Sequence, residues 1–257
     1  MRAGPDVPPL LLTHHIARAN GMRERNALTC THMHPRSFRL LQNFISKLEY
    51  NHTSENYFNL SKARPYSRVM DTAKQIIRDC LPIKCLEAVF LGLYLTNGMD
   101  DIERIPISFK SQFSGRIYRH IVLAVHHIPS GKFGAVGLSR KRNLMFKELR
   151  YDSMSELLED YKQAYESLWQ QVLKIWVGLP APDDEFSYSP ICWRYFCLKN
   201  SLGTWSELTQ ALDDDLSSRK RLINKFSKWL KEPPTKHEDD DKDDATESSS
   251  GDAPSSS

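Results

Sequence analysis

The segment at residues 82–96, PIKCLEAVFLGLYLT, constrains the fold more than any other part of the chain. It predicts an apolar helix with Cys85 in its first turn and Pro82 at the first helical position, where a missing N–H costs nothing. The thiol would lie at the positive end of the helix dipole with Lys84 beside it, and both effects favour the thiolate. A buried structural cysteine is the commoner explanation of such a residue, so both interpretations stay open at this point.

Two apolar runs, at residues 117–126 and 132–139, predict a β-hairpin. The sequence IPSG lies between them, and its Pro and Gly stand where a type I turn takes them. If the hairpin has no bulge, the numbers of opposed residues sum to 259. His120 then faces Ser139, with Cβ atoms roughly 4.5–5.5 Å apart.

One face of this hairpin is bulky, whereas the other carries small residues such as Ala124 and Ala135. We expect the cysteine-bearing helix to lie on the small-sided face, which would bring Cys85 against His120. With Ser139 this makes a nucleophile, a base and a group that orients the base. A neutral hydroxyl can fix the tautomer of the histidine, but it stabilises an imidazolium less than a carboxylate does. An ordinary strand histidine is the alternative interpretation.

Six ordered motifs resemble the vasohibin family: LEYNHT at 48–53, PIKCLEAV at 82–89, YLTN at 94–97, PISFK at 106–110, YRHIVL at 118–123 and GLSR at 137–140. The resemblance is strong from about residue 36 to residue 158 and fainter to about residue 226. Vasohibins are tubulin carboxypeptidases with a transglutaminase-like, papain-like cysteine-protease fold, and they work with a short helical partner, the small vasohibin-binding protein. The resemblance therefore implies removal of the C-terminal tyrosine of α-tubulin.

The resemblance also implies roles for individual residues. Cys85 corresponds to the family nucleophile, His120 to its base and Ser139 to its unusual third member, and Tyr50 lies near the reacting carbonyl. Basic groups that hold the terminal carboxylate and the acidic residues before it correspond to Lys62, Arg64, Lys84 and Arg140. Such cations suit a carboxypeptidase, because arginine binds a carboxylate with a two-pronged fork.

The charge of the chain is unevenly distributed. The formal net charge is +3, but residues 237–257 hold eight carboxylates against one lysine, which leaves about +10 on residues 1–236. A basic body steers acidic partners, and an acidic microtubule surface fits as well as nucleic acid, for which no binding module is visible. The acidic, Ser-rich tail cannot bury enough apolar area to fold. It is either a solubilising appendage or a weak mimic of the substrate.

Five cysteines, an odd number without secretory spacing, indicate a reducing compartment. Cys192 and Cys197 lack zinc-site spacing and nearby histidines, so no metal is expected, and nothing calls for a cofactor. Neither a good signal peptide nor a membrane-length apolar segment is present. We therefore expect a cytoplasmic, cytoskeleton-associated protein, although secretion without a signal stays open.

The remaining patterns predict an α+β fold in which the nucleophile lies at a helix N-terminus packed against an antiparallel sheet. Helices are expected at residues 35–50, 70–81, 153–177 and within 205–229, and a last strand at 191–198. The expected divisions are a weakly structured extension at 1–35, a catalytic domain with an N-terminal helical part at 36–232, and a disordered tail at 233–257.

The sequence is also compatible with two other functions, and it contains one candidate surface for the partner. Transglutaminases share the helix-borne cysteine, so amide transfer is one alternative, and a non-catalytic microtubule-binding protein that uses the basic body is the other. The small helical partner would need an apolar groove. The helix that carries Phe38, Leu41, Ile45 and Leu48 is the candidate contact, unless that stripe simply joins the core.

Overall fold

The structure, a computed structural model, describes residues 32–199 and 202–231. The predicted extension at 1–35, apart from its last four residues, and the predicted tail at 233–257 lie outside the described residues. The helices are α1 (Pro35–Lys47), α2 (Tyr66–Asp79), α3 (Cys85–Leu95), α4 (Met154–Glu166), α5 (Trp205–Leu216) and α6 (Arg219–Lys231). The strands are β1 (Ile102–Phe113), β2 (Arg116–His127), β3 (Lys132–Val136), β4 (Lys147–Tyr151), β5 (Gln171–Val177) and β6 (Phe196–Leu198).

The six strands form one sheet in the order β4-β3-β2-β1-β5-β6, and every neighbouring pair is antiparallel. Helices cover both faces of this sheet, which confirms the α+β prediction. None of the helices within the described ranges combines the length and the apolar character that crossing a membrane demands.

The hairpin has the predicted register. Leu123 pairs with Val136 and Ala124 with Ala135, and Gly131 N donates to Ile128 O to close the turn. However, β3 ends at Val136, three residues before Ser139. In the described part of the chain, the ladder between β2 and β3 therefore does not reach His120, and the expected strand pair of His120 with Ser139 is not formed.

The faces of the sheet are used differently from the prediction. Helices α1, α2 and α3 pack on the bulky face, which presents Ile121 and Leu123, whereas α4 and α5 cover the small-sided face. The predicted face for the cysteine helix is thus wrong. The close approach comes from the helix, because a Cβ at Gly92 would lie 2.9 Å from Leu123 Cδ2. A small residue on the helix lets α3 reach a bulky strand surface.

The cysteine helix begins at Cys85, and Pro82 is not part of it. Ile83 forms a parallel bridge with Tyr50, and Asn51 N donates to Ile83 O over 2.8 Å. This pairing keeps the residues before Cys85 extended, so the predicted placement of Pro82 at the first helical position is wrong.

The predicted long helix at 153–177 is two elements. Helix α4 ends at Glu166, the chain turns with Trp169 at a positive φ of 60°, and β5 follows. Strand β1 was not assigned from the sequence, and the predicted strand at 191–198 is only β6. The region predicted to be helical at 205–229 divides into α5 and α6.

The apolar stripe of α1, with Phe38, Leu41, Ile45 and Leu48, is buried in the core, so it cannot be an open groove for a partner.

Candidate active site

Strand β2 divides into two parts at the end of β3. Residues 123–127, the paired part of β2, have β1 on one edge and β3 on the other. Residues 116–122, the open part of β2, have β1 on one edge and, within the described residues, no ladder partner on the other. The candidate catalytic side chains gather at this open part.

Cys85 is the first residue of α3, with Lys84 in extended conformation as its N-cap. The backbone of Ile121, in the open part of β2, lies close enough to hydrogen-bond the thiol and favour its ionised form. The nucleophile candidate is thus placed at the residue that follows His120 in the chain. The hydrogen bonds of the described residues do not include one between Cys85 and His120. Catalytic hydrogen bonds often tighten only when substrate binds.

Burial raises the pKa of the Cys85 thiol, and the nearby Glu87 carboxyl raises it further. The backbone of Ile121 and the charge of Lys62 oppose this rise. Lys84 was expected to favour the thiolate, but its ammonium is 3.1 Å from Asn56 Oδ1 and 3.4 Å from Ser54 O. Desolvation therefore outweighs the effects that were expected to favour the thiolate, and the thiol stays protonated in the resting site.

His120 is held by a backbone group. Its Nε2 lies 2.8 Å from Leu144 O, and its ring stacks against Phe109 with centroids 6.4 Å apart. Since a carbonyl oxygen only accepts, Nε2 carries the proton and Nδ1 is the basic nitrogen. Burial lowers the pKa of His120 to about 4, although the Leu144 carbonyl raises it. The resting imidazole is therefore neutral.

Ser139 does not take the position predicted for it. Its Oγ accepts from Lys141 N over 3.2 Å, and the orienting partner of His120 is the carbonyl of Leu144 at the end of a short 3₁₀ turn, Arg142–Leu144. Sequence reasoning missed this group because every residue has a carbonyl, so no residue type signals it.

Tyr50 interacts both with Arg140 and with the Cys85 thiol. The Arg140 guanidinium lies 5.9 Å from the centroid of the Tyr50 ring and also hydrogen-bonds its side chain. Burial raises the pKa of Tyr50, and ionisation of Cys85 or Glu87 would raise it further, whereas the Arg140 guanidinium lowers it. The phenol therefore keeps its proton and can donate it to a developing negative charge.

The other predicted cations differ in how close they lie to the thiol. Lys62 is near enough to Cys85 to lower the pKa of the thiol, and its carbonyl accepts from Trp193 Nε1 over 3.0 Å. Arg64 instead donates to the carbonyls of Asn59 and Ser61 and to Thr72, at 2.5, 3.2 and 3.0 Å. Thus Lys62 and Tyr50 interact with the thiol and Arg140 contacts Tyr50, whereas Arg64 and Lys84 bond to residues of nearby loops and of α2.

Glu87 is a further ionisable group that the sequence did not single out. It is fully buried in the first turn of α3, and neither carboxylate oxygen has a hydrogen-bond partner within the described part of the structure. Burial raises the pKa of this carboxyl, because the charged form is poorly solvated there. Among the described residues, no group of three or more His, Cys, Asp or Glu side chains is placed to hold a metal ion.

Comparison with known proteins gives two findings. A family model described as Vasohibin matches residues 23–220, a range that includes every candidate site residue above. A mouse protein named tubulinyl-Tyr carboxypeptidase 1 is 44% identical over 164 residues, which cover 64% of this chain and 43% of the mouse protein. The match thus spans less than half the length of that relative.

Proposed function

The chain belongs to the vasohibin family, and we propose that it is a cysteine-type carboxypeptidase that removes the C-terminal tyrosine of α-tubulin. The observation that carries this proposal is the placement of the Cys85 thiol at the backbone of Ile121, next in the chain to a histidine held by Leu144 O. The name of the mouse relative, which specifies tubulinyl-tyrosine carboxypeptidase, supports the choice of substrate.

The chemistry begins from two neutral partners. The Cys85 thiol transfers its proton to His120 Nδ1 as the sulfur attacks the last peptide carbonyl of the substrate. The Leu144 carbonyl keeps the imidazole in the tautomer that leaves Nδ1 basic, and it accepts from Nε2–H of the imidazolium. The imidazolium then protonates the leaving tyrosine amine. Water, deprotonated by the same Nδ1, hydrolyses the thioester and releases the shortened chain.

Tyr50 and the cations supply binding and electrostatic stabilisation. The protonated Tyr50 hydroxyl donates to the oxyanion that forms on the attacked carbonyl, which is a large contribution in acyl transfer. Arg140 and Lys62 hold the α-carboxylate of the terminal tyrosine, while Lys84 and Arg64 contact the acidic residues before it. The basic body of the chain, about +10 without the acidic tail, attracts such a substrate over a longer range.

We also propose that a small helical partner assists the enzyme and that the protein works in the cytoplasm beside microtubules. Because the apolar stripe of α1 is buried, the partner would contact a surface other than the one first expected.

The test is mass spectrometry of an α-tubulin tail peptide ending in Glu-Glu-Tyr, incubated with the reduced protein with and without the small partner. Loss of one tyrosine, absent in Cys85→Ala, is the expected result. Incorporation of an amine into glutamine peptides without loss of tyrosine would indicate amide transfer instead. Microtubule binding without either reaction, by a folded and reduced protein, would indicate a binding protein.

A further inference from the structure

Gln42 on α1 makes an unusual pair of contacts with one backbone residue. Its Nε2 donates to Gly137 O over 2.9 Å, and its Oε1 accepts from Gly137 N over 3.0 Å. The side chain is only 5% exposed, and Nε2 also donates to Ser46 Oγ over 2.9 Å. A primary amide that bonds both the N–H and the C=O of one residue replaces what a neighbouring strand would provide.

Gly137 is the residue at which β3 ends. The ladder between β2 and β3 stops at the pair of Leu123 with Val136, and the next backbone groups bond Gln42. A Cβ at Gly137 would lie 3.0 Å from Val122 Cγ1, so the chain passes close to β2 at this point. Gln42 thus satisfies the backbone N–H and C=O of Gly137 at the point where the chain leaves the sheet.

This departure shapes the candidate site in two ways. Among the residues that the structure describes, it leaves the open part of β2 without a strand on one edge, and the Cys85 thiol meets the backbone of Ile121 there. It also directs the following residues, so that the Arg140 guanidinium reaches the Tyr50 ring at 5.9 Å. The position of Arg140, three residues beyond Gly137, therefore depends on where Gly137 is held.

We propose that Gln42 is a positioning residue that sets the placement of Arg140 for a carboxylate beside Cys85. The inference rests on the proposed function to the extent that this carboxylate is the α-carboxylate of the substrate. Loss of the Gly137 contacts would let the segment at 138–140 shift, because Gly137, the residue just before it, would lose both of its backbone partners. Arg140 would then bind the carboxylate less well, while the thiol itself would be little changed.

The test compares alkylation of Cys85 by iodoacetate and by iodoacetamide, followed by mass spectrometry of the peptide that contains Cys85. Iodoacetate carries a carboxylate and iodoacetamide does not, so the ratio of their rates reports a cation beside the thiol. Arg140→Ala should lower this ratio about three- to tenfold. Gln42→Met, similar in size but without hydrogen-bonding groups, should lower it nearly as much while leaving the iodoacetamide rate within about twofold.

Ser46→Ala is the matched control, because it removes the other contact of Gln42 and leaves Gly137 bonded. It should keep the wild-type ratio. The double variant Gln42→Met with Arg140→Ala should show the ratio of Arg140→Ala alone, since both changes act through the same cation. If thermal unfolding shows that the Gln42→Met protein is not folded, Gln42→Asn replaces it. The asparagine amide is one methylene too short to reach both Gly137 atoms.

An unchanged ratio in the folded Gln42 variant would overturn the proposal, and so would an unchanged ratio in Arg140→Ala. A further fall in the double variant would also overturn it. These measurements need no tubulin, so they stand even if no tyrosine is removed. Where tyrosine is removed, the Gln42 variant should raise KM several-fold while kcat changes less than about twofold.

Discussion

The two parts of β2 contain similar residues in different settings. In the paired part, His126 stacks on Phe133 with ring centroids 4.2 Å apart and contacts Glu103 at 3.1 Å. In the open part, His120 bonds the carbonyl of Leu144, which belongs to no strand. A strand with partners on both edges fixes structure, whereas an edge left without a strand exposes backbone groups and space that a nucleophile can use.

The sharpest test of this comparison replaces His120 and His126 in two separate variants. His120→Gln should lower kcat/KM for tyrosine removal by about 10³-fold, because the base for the thiol is lost. His126→Gln should stay within about threefold, because the charged and aromatic groups that this side chain contacts in the described part of the chain are Glu103 and Phe133. The measurement is steady-state kinetics on the tubulin tail peptide. Similar losses in both variants would show that the two parts of β2 do not differ in function.

The pH dependence of stability should also originate in the open part. Folding lowers the pKa of His120 from 6.5 to about 4, so the unfolded chain binds more protons between these values. The contribution of His120 to the free energy of unfolding is fully present above pH 6.5 and is lost as the pH falls through about 4. The free energy of unfolding should therefore fall by at most about 3 kcal/mol across this window.

Urea unfolding at several pH values measures this fall, and His120→Gln should be less pH-dependent by a similar amount. A His120→Gln slope equal to that of the wild-type protein would mean that another group titrates in this window.

In the paired part of β2 and its partner β3, changes in packing should alter the stability of the protein. A Cβ at Gly134 in β3 would lie 2.8 Å from Lys147 O and 2.9 Å from Glu148 O, both backbone atoms of β4. Gly134→Ala should therefore destabilise the protein by about 2 kcal/mol, measured by urea unfolding. Activity per folded molecule should stay within about twofold. A large loss of activity without a loss of stability would contradict the structural role of the paired part.

The smallest effect is expected for Ser139. Because Leu144 O orients His120, Ser139→Ala should lower kcat/KM less than about tenfold, a loss of roughly 1 kcal/mol. Kinetics on the tail peptide, in parallel with His120→Gln, provide the measurement. A loss as complete as that of His120→Gln would mean that the hydroxyl turns to the imidazole in the working enzyme.

Much of the local structure follows from the sequence. The turn at Ile128–Gly131 and the alternation of residues fixed the register of the hairpin, and α1 begins at the predicted residue. The helix predicted to run through Trp169 was wrong, because its apolar residues also fit β5 once the chain turns at this residue. Periodicity alone does not separate such cases when a short apolar run follows a helix.

The arrangement of the candidate site was less predictable than the register of the hairpin that carries His120. The resemblance to the vasohibins singled out Tyr50, Lys62 and Arg140 beside Cys85. Lys62 and Tyr50 do interact with Cys85, and Arg140 contacts Tyr50. The residues that arrange them, Leu144 and Gln42, were not singled out. One acts through its backbone carbonyl, and the other replaces a strand partner, which no local pattern reveals.

The sequence by itself determined which side chains can carry the chemistry and how the two strands of the hairpin align. These properties depend on residue type, on turn geometry and on neighbours along the chain. The tertiary structure decided which face α3 covers, where β3 leaves the sheet, and that burial keeps both Cys85 and His120 neutral at rest. Backbone groups are identical in every residue, and the cost of desolvation depends on what covers a side chain, so both are settled only when distant segments pack together.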